Sequence, residues 1–212
     1  MGQPATNPPE RGAIDTVVFD LGGVLIDWDP RYVLADGDGS SVDELVVALD
    51  IDGAQRALDL GTPIDQVHAT WRETYAEHAE HVDRYFGDWH RTVAGALDDV
   101  IPILAELRDH GLGLYALSNF SSELFRQVRH QFEFLAWFDG LLISGDEGVV
   151  KPDPAIYTLL LERFGLTAER TVFIDDRVEN VEAARAAGLA GLHFVSAPRL
   201  RADLSQLGVL PT

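Results

Sequence analysis

The chain has 212 residues, of which 46% are hydrophobic, and its formal net charge is −19. This length suits one large domain or a core with a small accessory domain, and the acidity argues against binding to nucleic acid or anionic membranes. With no cysteine in the sequence, disulfides, thiolate catalysis and zinc–thiolate sites are excluded, and no apolar run approaches the roughly 18 residues that span a bilayer.

The first predicted strand follows a polar segment. Residues 1–13 contain three prolines and lack the apolar stretch of a secretory signal, so we expect a disordered tail on a cytoplasmic protein. Residues 16–19 form a short apolar run, typical of a strand buried on both faces, which ends at Asp20. Because ligands of open α/β sheets bind at the carboxyl ends of the strands, Asp20 is a candidate functional residue.

The character of the sequence changes over residues 30–91. Strand-like runs disappear, Ser41 opens a capping-box pattern, and Thr62 precedes a proline as an N-cap residue precedes the first helical position. The second half of the segment is rich in aromatic residues and histidines. We therefore expect a small all-helical domain, inserted into a core domain made of residues 14–29 and 92–212.

From residue 98 onward, predicted helices and strands alternate. Alternation of this kind predicts a Rossmann-like parallel sheet with helices on both faces. The predicted helices cover residues 100–110, 121–131 and 153–164 and an alanine-rich segment ending at 187, and the predicted strands cover 112–117, 140–143, 171–174 and 191–195.

Polar residues lie where several predicted strands end. Because the carboxyl ends of parallel strands meet at one edge of the sheet, we expect these side chains to converge there. An acid, a hydroxyl, a lysine and a pair of acids are the components of metal-assisted phosphoryl transfer to a carboxylate. The residues are Asp20, Ser118, Asn119, Lys151, Asp175 and Asp176.

Four motifs containing these residues are similar, in order and spacing, to those of the haloacid dehalogenase superfamily of hydrolases. The chain most resembles the sugar-phosphate phosphatases with a small helical cap and an Asp-Leu-Gly first motif, which would make residues 30–91 the cap. The resemblance implies a phosphomonoesterase that uses Mg²⁺ and acts on a small phosphorylated metabolite, such as a sugar phosphate, through an aspartyl-phosphate. The motifs are Phe19-Asp20-Leu21-Gly22-Gly23-Val24-Leu25, Leu117-Ser118-Asn119, Lys151-Pro152 and Phe173-Ile174-Asp175-Asp176.

The resemblance also implies a role for each matched catalytic residue. Asp20 would be the nucleophile that attacks phosphorus. Ser118 would hydrogen-bond a phosphoryl oxygen with support from Asn119, and Lys151 would neutralise the phosphoryl charge and keep Asp20 ionised.

The same resemblance implies a Mg²⁺ site. Its ligands would be the carboxylate of Asp20, the backbone carbonyl of Gly22 and the acid pair Asp175 and Asp176, with Asp176 favoured as the direct ligand. Oxygen ligands of this kind suit Mg²⁺.

One position departs from the resemblance. Most phosphatases of the superfamily carry a second aspartate two positions after the nucleophile, where it serves as general acid and base, but this chain has Gly22. General acid–base catalysis contributes about 10²- to 10⁴-fold. We therefore expect slow turnover of esters with poor leaving groups, unless Asp27 or a histidine of the helical segment takes over this role.

Two alternative functions are consistent with this departure. Dehalogenases of the superfamily also lack the second aspartate and use their nucleophile on carbon without a metal, although the acid pair would then have no purpose. A phosphate-binding or regulatory protein without turnover would in turn have no need of a nucleophile. The sequence is compatible with a monomer or a homodimer.

Overall fold

The computed structural model describes residues 14–34 and 41–211, so the predicted tail lies outside the described residues. Five strands form one parallel sheet in the order β5-β4-β1-β6-β7, which confirms the predicted fold class. The strands of the described ranges are β1 (Thr16–Phe19), β2 (Ile26–Trp28), β3 (Val93–Ala96), β4 (Gly113–Ser118), β5 (Gly140–Ile143), β6 (Thr171–Asp175) and β7 (Ala190–His193).

Helices follow most of these strands. None of those in the described ranges is long and apolar enough to cross a membrane. The α-helices are α1 (Arg31–Leu34), α2 (Val42–Ala48), α3 (Ile51–Asp59), α4 (Ile64–Thr74), α5 (Ala79–Gly87), α6 (Ile101–Asp109), α7 (Ser122–Val128), α8 (Ser144–Glu147), α9 (Pro154–Phe164), α10 (Val178–Ala186) and α11 (Ala197–Gln206). Short 3₁₀ segments cover Ala76–His78, Trp89–Thr92, Arg129–Gln131, Glu133–Trp137 and Ala168–Arg170.

Alternate residues of the central strand face opposite sides of the sheet, as the pleat of a strand requires. Val18 belongs to a cluster with Tyr157 of α9 and Ala184 of α10. Val17 and Phe19 belong to the larger cluster, which includes residues of α6, α7 and α11. Helices therefore cover both faces, which explains why β1 is buried at every position.

The helical segment lies between two strands that the sequence prediction lacks. β2 and β3 pair antiparallel, with Asp27 opposite Gly95, at the two borders of residues 30–91. Both strands are only three or four residues long, and their partners lie more than sixty residues apart in sequence. No local pattern could have predicted this pairing. The prediction also lacks α11.

The two helix starts predicted within this segment differ in the structure. Ser41 does occupy the N-cap of α2, but its side chain makes no capping hydrogen bond. Pro63, and not Thr62, occupies the N-cap of α4. The predicted capping bond of Ser41 and the predicted N-cap at Thr62 are therefore wrong, although both helices form close to where they were expected.

A close backbone contact fixes the loop that follows β4. The amide of Gly145 in α8 donates to the carbonyl of Phe120 at 3.1 Å. A Cβ at position 145 would lie 2.6 Å from the amide nitrogen of Ser122 and 2.8 Å from the carbonyl oxygen of Phe120. Only a residue without a side chain allows this approach.

We expect Gly145→Ala to lower the free energy of unfolding by about 1–3 kcal/mol, because the clash is with backbone atoms that cannot move aside alone. Chemical denaturation measures this loss. Gly87→Ala is the matched control, because a Cβ there meets nothing within 4 Å. Alanine is also the better helix former, so equal destabilisation by the two variants would contradict the prediction.

Candidate active site

Three neighbouring strands bring the predicted site residues together at the carboxyl edge of the sheet. Strand β1 lies between β4 and β6, and Phe19 pairs with Ala116 on one side and Ile174 on the other. The amide of Asp20 donates to the carbonyl of Ile174 at 2.8 Å. Asp20 is therefore level with the ends of both neighbouring strands.

Lys151 joins these strand ends. Its side chain is 0% exposed, and its ammonium lies 2.9 Å from Oδ2 of Asp20 and 2.7 Å from Oδ2 of Asp175. It also donates to the carbonyl of Leu117, the residue before Ser118, at 2.9 Å. An ammonium has three donors, and each of them meets an acceptor at the carboxyl end of a different strand.

The charges in this cluster perturb one another. Burial raises the pKa of the Asp20 carboxyl to about 7; the Lys151 ammonium opposes this shift, and the Asp175 and Asp176 carboxylates add to it. Burial is also the largest influence on Lys151 and lowers its pKa, but Asp20 and Asp175 outweigh it, so that the pKa lies above its usual value. Three acids thus share one buried cation, which leaves the cluster negative when all are ionised.

The two acids at the end of β6 have different surroundings. Asp175 is fully buried, and its Oδ1 accepts from the side-chain amide of Asn180 and from the backbone amide of Arg177, both at 2.9 Å. Asp176 lines the cavity instead. A Cβ at position 23 would lie 2.6 Å from Oδ2 of Asp176, and the φ of Gly23 is 74°, so that only glycine suits this position.

The acid cluster fits a divalent cation. Asp20, Asp175 and Asp176 can each offer one carboxylate oxygen, and these three oxygens lie within 4.8 Å of one another. Hard oxygen donors and an excess of negative charge favour Mg²⁺. A cation would also relieve the repulsion that, together with burial, raises the pKa of Asp176.

Ser118 and Asn119 differ in what they contact. Ser118 is almost fully buried at the end of β4 and lines the cavity beside Asp20. The side-chain nitrogen of Asn119 donates to the backbone carbonyl of Lys151 at 3.0 Å, and the side-chain oxygen of Asn119 accepts from the backbone amide of Lys151 at 2.8 Å. Asn119 thereby positions the backbone of Lys151, a contact that the sequence prediction lacks.

Gly22 also lines the cavity.

The site opens into a cavity of about 400 Å³. One wall comes from α3, through a stripe of polar residues spaced i, i+3, i+4 and i+7, which places them on one face of a helix. The sequence prediction did not include this stripe, although its helical spacing is visible in the sequence. Its members are Asp52, Gln55, Arg56 and Asp59.

Asp59 is the buried member of this stripe, at 7% exposure. Its Oδ1 accepts from the side-chain amide of Gln55 at 3.0 Å. Burial raises the pKa of the Asp59 carboxyl to about 7, against the lowering influence of the Gln55 hydrogen bond and of the Lys151 charge.

The candidates expected to replace the missing acid do not line this cavity. Asp27 accepts a hydrogen bond from the hydroxyl of Tyr32 at 3.0 Å, and His68 is 2.7 Å from Asp83. No histidine is among the described residues that line the cavity. The expectation that Asp27 or a histidine of the helical segment serves this role has no support in the geometry.

Residues 14–188 match the haloacid dehalogenase-like hydrolases. The chain belongs to this family of hydrolases. The match spans both the strand-end residues and the helical segment, and it confirms the resemblance on which the sequence prediction depends.

Similar members of the family include phosphatases. The chain is 29% identical over 206 residues to the sesquiterpene phosphatase astK of Aspergillus oryzae, covering 90% of this chain and 94% of that protein. It is 27% identical over 187 residues to a phosphoglycolate phosphatase of Photorhabdus laumondii, covering 82% of this chain and 77% of that protein. These two named substrates differ widely in size and polarity.

Solved structures of family members share the fold. The HAD family enzyme bt-2542 of Bacteroides thetaiotaomicron is 22% identical with a TM-score of 0.69, covering 85% of this chain and 93% of its own. The L-2-haloacid dehalogenase RSc1362 is 23% identical with a TM-score of 0.66, covering 85% and 86%. This hydrolase thus shares its fold with both of these proteins.

The raised pKa of Asp59 predicts a pH-dependent difference between the wild type and Asp59→Asn. The native state holds the Asp59 proton up to about pH 7, whereas the unfolded state releases it near pH 4. The contribution of Asp59 to the free energy of unfolding of the wild type therefore falls as the pH rises between these values. The side chain introduced in Asp59→Asn does not titrate, so the stability of the variant lacks this dependence on pH. As the pH increases over this range, we therefore expect the free energy of unfolding of Asp59→Asn to rise relative to that of the wild type, by at most about 1.4 kcal/mol per pH unit.

Chemical denaturation of both proteins from pH 4 to pH 8 measures the difference. Asp65→Asn is the control, because Asp65 is an exposed acid on the neighbouring helix α4. A difference between Asp59→Asn and the wild type that is constant over this range would contradict the prediction.

Proposed function

We propose that the protein is a phosphomonoesterase that requires Mg²⁺ and forms an aspartyl-phosphate on Asp20. Its substrate is a small phosphorylated metabolite. The observation that carries this proposal is the arrangement of one buried lysine among three carboxylates at the floor of a cavity. The similarity to phosphatases along nearly the whole chain supports it.

The geometry suits Asp20 as the nucleophile. Oδ1 of Asp20 accepts from the amide of Leu21 at 2.7 Å, and Oδ2 contacts Lys151, so the carboxylate is held in one orientation facing the cavity. Lys151 keeps Asp20 available as a carboxylate, since it stabilises the charged form. Ser118 lies next to it with a hydroxyl that can donate to a phosphoryl oxygen.

Asp20, Asp176 and the backbone carbonyl of Gly22 would hold the Mg²⁺. Asp175 has both of its oxygens engaged by Lys151, Arg177 and Asn180, which favours Asp176 as the direct ligand. When bound, the cation supplies positive charge that reduces the repulsion between the anionic substrate and the anionic nucleophile.

The acid cluster also favours a phosphatase function over a dehalogenase function. Displacement of a halide from carbon by a carboxylate needs no metal, so three acids placed close together would only add repulsion to that reaction. Dephosphorylation makes use of the same cluster through the cation that it binds.

The helical segment would act as a cap on the substrate. Its helix α3 supplies one wall of the cavity, with a guanidinium at Arg56 and a carboxyl group at Asp59. We propose that residues 30–91 form this cap and that its polar wall selects the alcohol portion of the substrate. A sugar phosphate, which carries several hydroxyls, suits such a wall.

We expect Asp20→Asn to abolish phosphate release that depends on Mg²⁺, because the amide cannot attack phosphorus. A colorimetric phosphate assay tests this on p-nitrophenyl phosphate, glucose 1-phosphate, phosphoglycolate and a terpenyl monophosphate, with Mg²⁺ and with chelator. Thermal unfolding of Asp20→Asn confirms that the variant is folded. Retained turnover in Asp20→Asn would contradict the proposal, as would chloride release from 2-chloropropionate in chelator.

We also expect Asp176→Ala to raise the Mg²⁺ concentration for half-maximal activity. Removal even of groups that only support metal ligands costs about 10- to 100-fold in affinity, so a direct ligand should cost at least about tenfold. A Mg²⁺ titration of phosphate release measures this. Glu179→Gln is the control, since Glu179 is a nearby acid in the first turn of α10 that pairs with Arg177. An unchanged Mg²⁺ requirement in Asp176→Ala would exclude it as a ligand.

A further inference from the structure

The loop after Asp20 offers no side chain that can exchange a proton with the substrate, because position 22 is glycine. A Cβ at Gly22 would meet nothing within 4 Å, so the space beside the nucleophile is open rather than filled by another group. An ester with an alkoxide leaving group still requires a proton for efficient departure. The donor must therefore come from another wall of the cavity.

Two acids outside the acid cluster line this cavity, and both lie on α3. Asp52 is exposed, whereas Asp59 is buried. Asp59 also ends a chain of hydrogen bonds within the helical segment: the Tyr85 hydroxyl donates to Oε1 of Gln55 at 3.2 Å, and Nε2 of Gln55 donates to Asp59. This chain orients the carboxyl of Asp59.

The backbone of Asp59 is attached to the loop that carries the phosphate-binding residues. Its carbonyl accepts from the hydroxyl of Ser144 at 2.7 Å, and the oxygen of this hydroxyl accepts from the amide of Phe120 at 3.0 Å. Phe120 is two residues after Ser118. One buried serine therefore holds Asp59 at a fixed position relative to the residues around the phosphoryl group.

The surroundings move the pKa of Asp59 into the neutral range. Burial raises its pKa to about 7, although Gln55, Lys151, the Ser121 amide and Arg56 all favour the charged form. A general acid works best when its pKa lies close to the working pH. Lys151 is near enough to stabilise the carboxylate that remains after the proton has left.

We propose that Asp59 is the catalytic acid and base of this enzyme, in place of the aspartate that position 22 lacks. The inference rests on the proposed phosphatase function and identifies a residue that lies outside the four sequence motifs.

The proton transfers balance in both halves of the reaction. A carboxylate oxygen of Asp20 attacks phosphorus, the bond from phosphorus to the leaving oxygen breaks with its electron pair on that oxygen, and Asp59 gives this oxygen its proton. Asp59 then takes a proton from water as the water oxygen attacks the aspartyl-phosphate. The bond from phosphorus to Asp20 breaks, phosphate leaves, and both carboxyl groups return to their initial states.

The test compares two esters that differ in how much they need the proton. The nitrophenolate of p-nitrophenyl phosphate departs without one, whereas the alkoxide of glycerol 1-phosphate does not. The ratio kcat/KM reports steps up to the release of the alcohol. We expect Asp59→Asn to lose about 100-fold or more in kcat/KM on glycerol 1-phosphate and less than roughly fivefold on p-nitrophenyl phosphate.

Two further variants separate proton transfer from other effects. Asp52→Asn removes a charge from the same cavity wall without removing the proposed proton donor, so its effect on kcat/KM for glycerol 1-phosphate should be far smaller than that of Asp59→Asn. Gly22→Asp in the Asp59→Asn background places an acid in the open space and should recover at least tenfold on glycerol 1-phosphate alone. If Asp59→Asn does not fold, Asp59→Glu replaces it, with a selective loss again expected for glycerol 1-phosphate.

Equal losses on both esters, or no loss on either, would overturn the role of Asp59 while leaving the phosphatase intact. Absence of phosphate release by the wild-type protein from either ester would overturn the proposed function and this inference together. The two failures are therefore distinguishable.

Discussion

The buried ammonium of Lys151 is the interaction on which the site depends. It contacts Asp20, Asp175 and the carbonyl of Leu117, which lie at the carboxyl ends of three neighbouring strands. A charged group inside a protein is tolerated only when all of its donors are paired, so the sheet must present these three acceptors at one level. The parallel register of β4, β1 and β6 meets this requirement. Asn119, which binds the backbone of Lys151 at two points, fixes the lysine from outside the sheet.

This arrangement leaves the floor of the cavity with more carboxylates than cations. The excess of negative charge repels an anionic substrate and attracts a divalent cation, so binding of the two should be coupled. Another part of the cavity lining comes from α3, which contributes an acid with a raised pKa and an arginine. The floor is thus suited to charge and phosphorus chemistry, and the helical wall to contact with the rest of the substrate.

The sequence predicted the sheet and the strand-end residues because those signals are local. An apolar strand followed at once by Asp20, by Ser118 or by Asp175 carries its own structural context. The polar stripe of α3 escaped prediction for a different reason: its spacing resembles the solvated face of any surface helix. Only its place in the same cavity lining as Lys151, which is more than ninety residues away in sequence, distinguishes Asp59 from an ordinary surface acid. The β2–β3 pairing escaped because short strands with distant partners leave no local pattern.

The two adjacent glycines that follow the proposed nucleophile differ in the space available for a side chain. At Gly23 a side chain would collide with Asp176, and the backbone has a positive φ, whereas at Gly22 a side chain meets open space. Sterics therefore restrict the side chain at position 23 but not at position 22. A carboxyl group can be placed at position 22 without rebuilding the fold, because the space there is open. Under the role that we propose for Asp59, the proton donor lies on the helical wall of the cavity instead of on this loop.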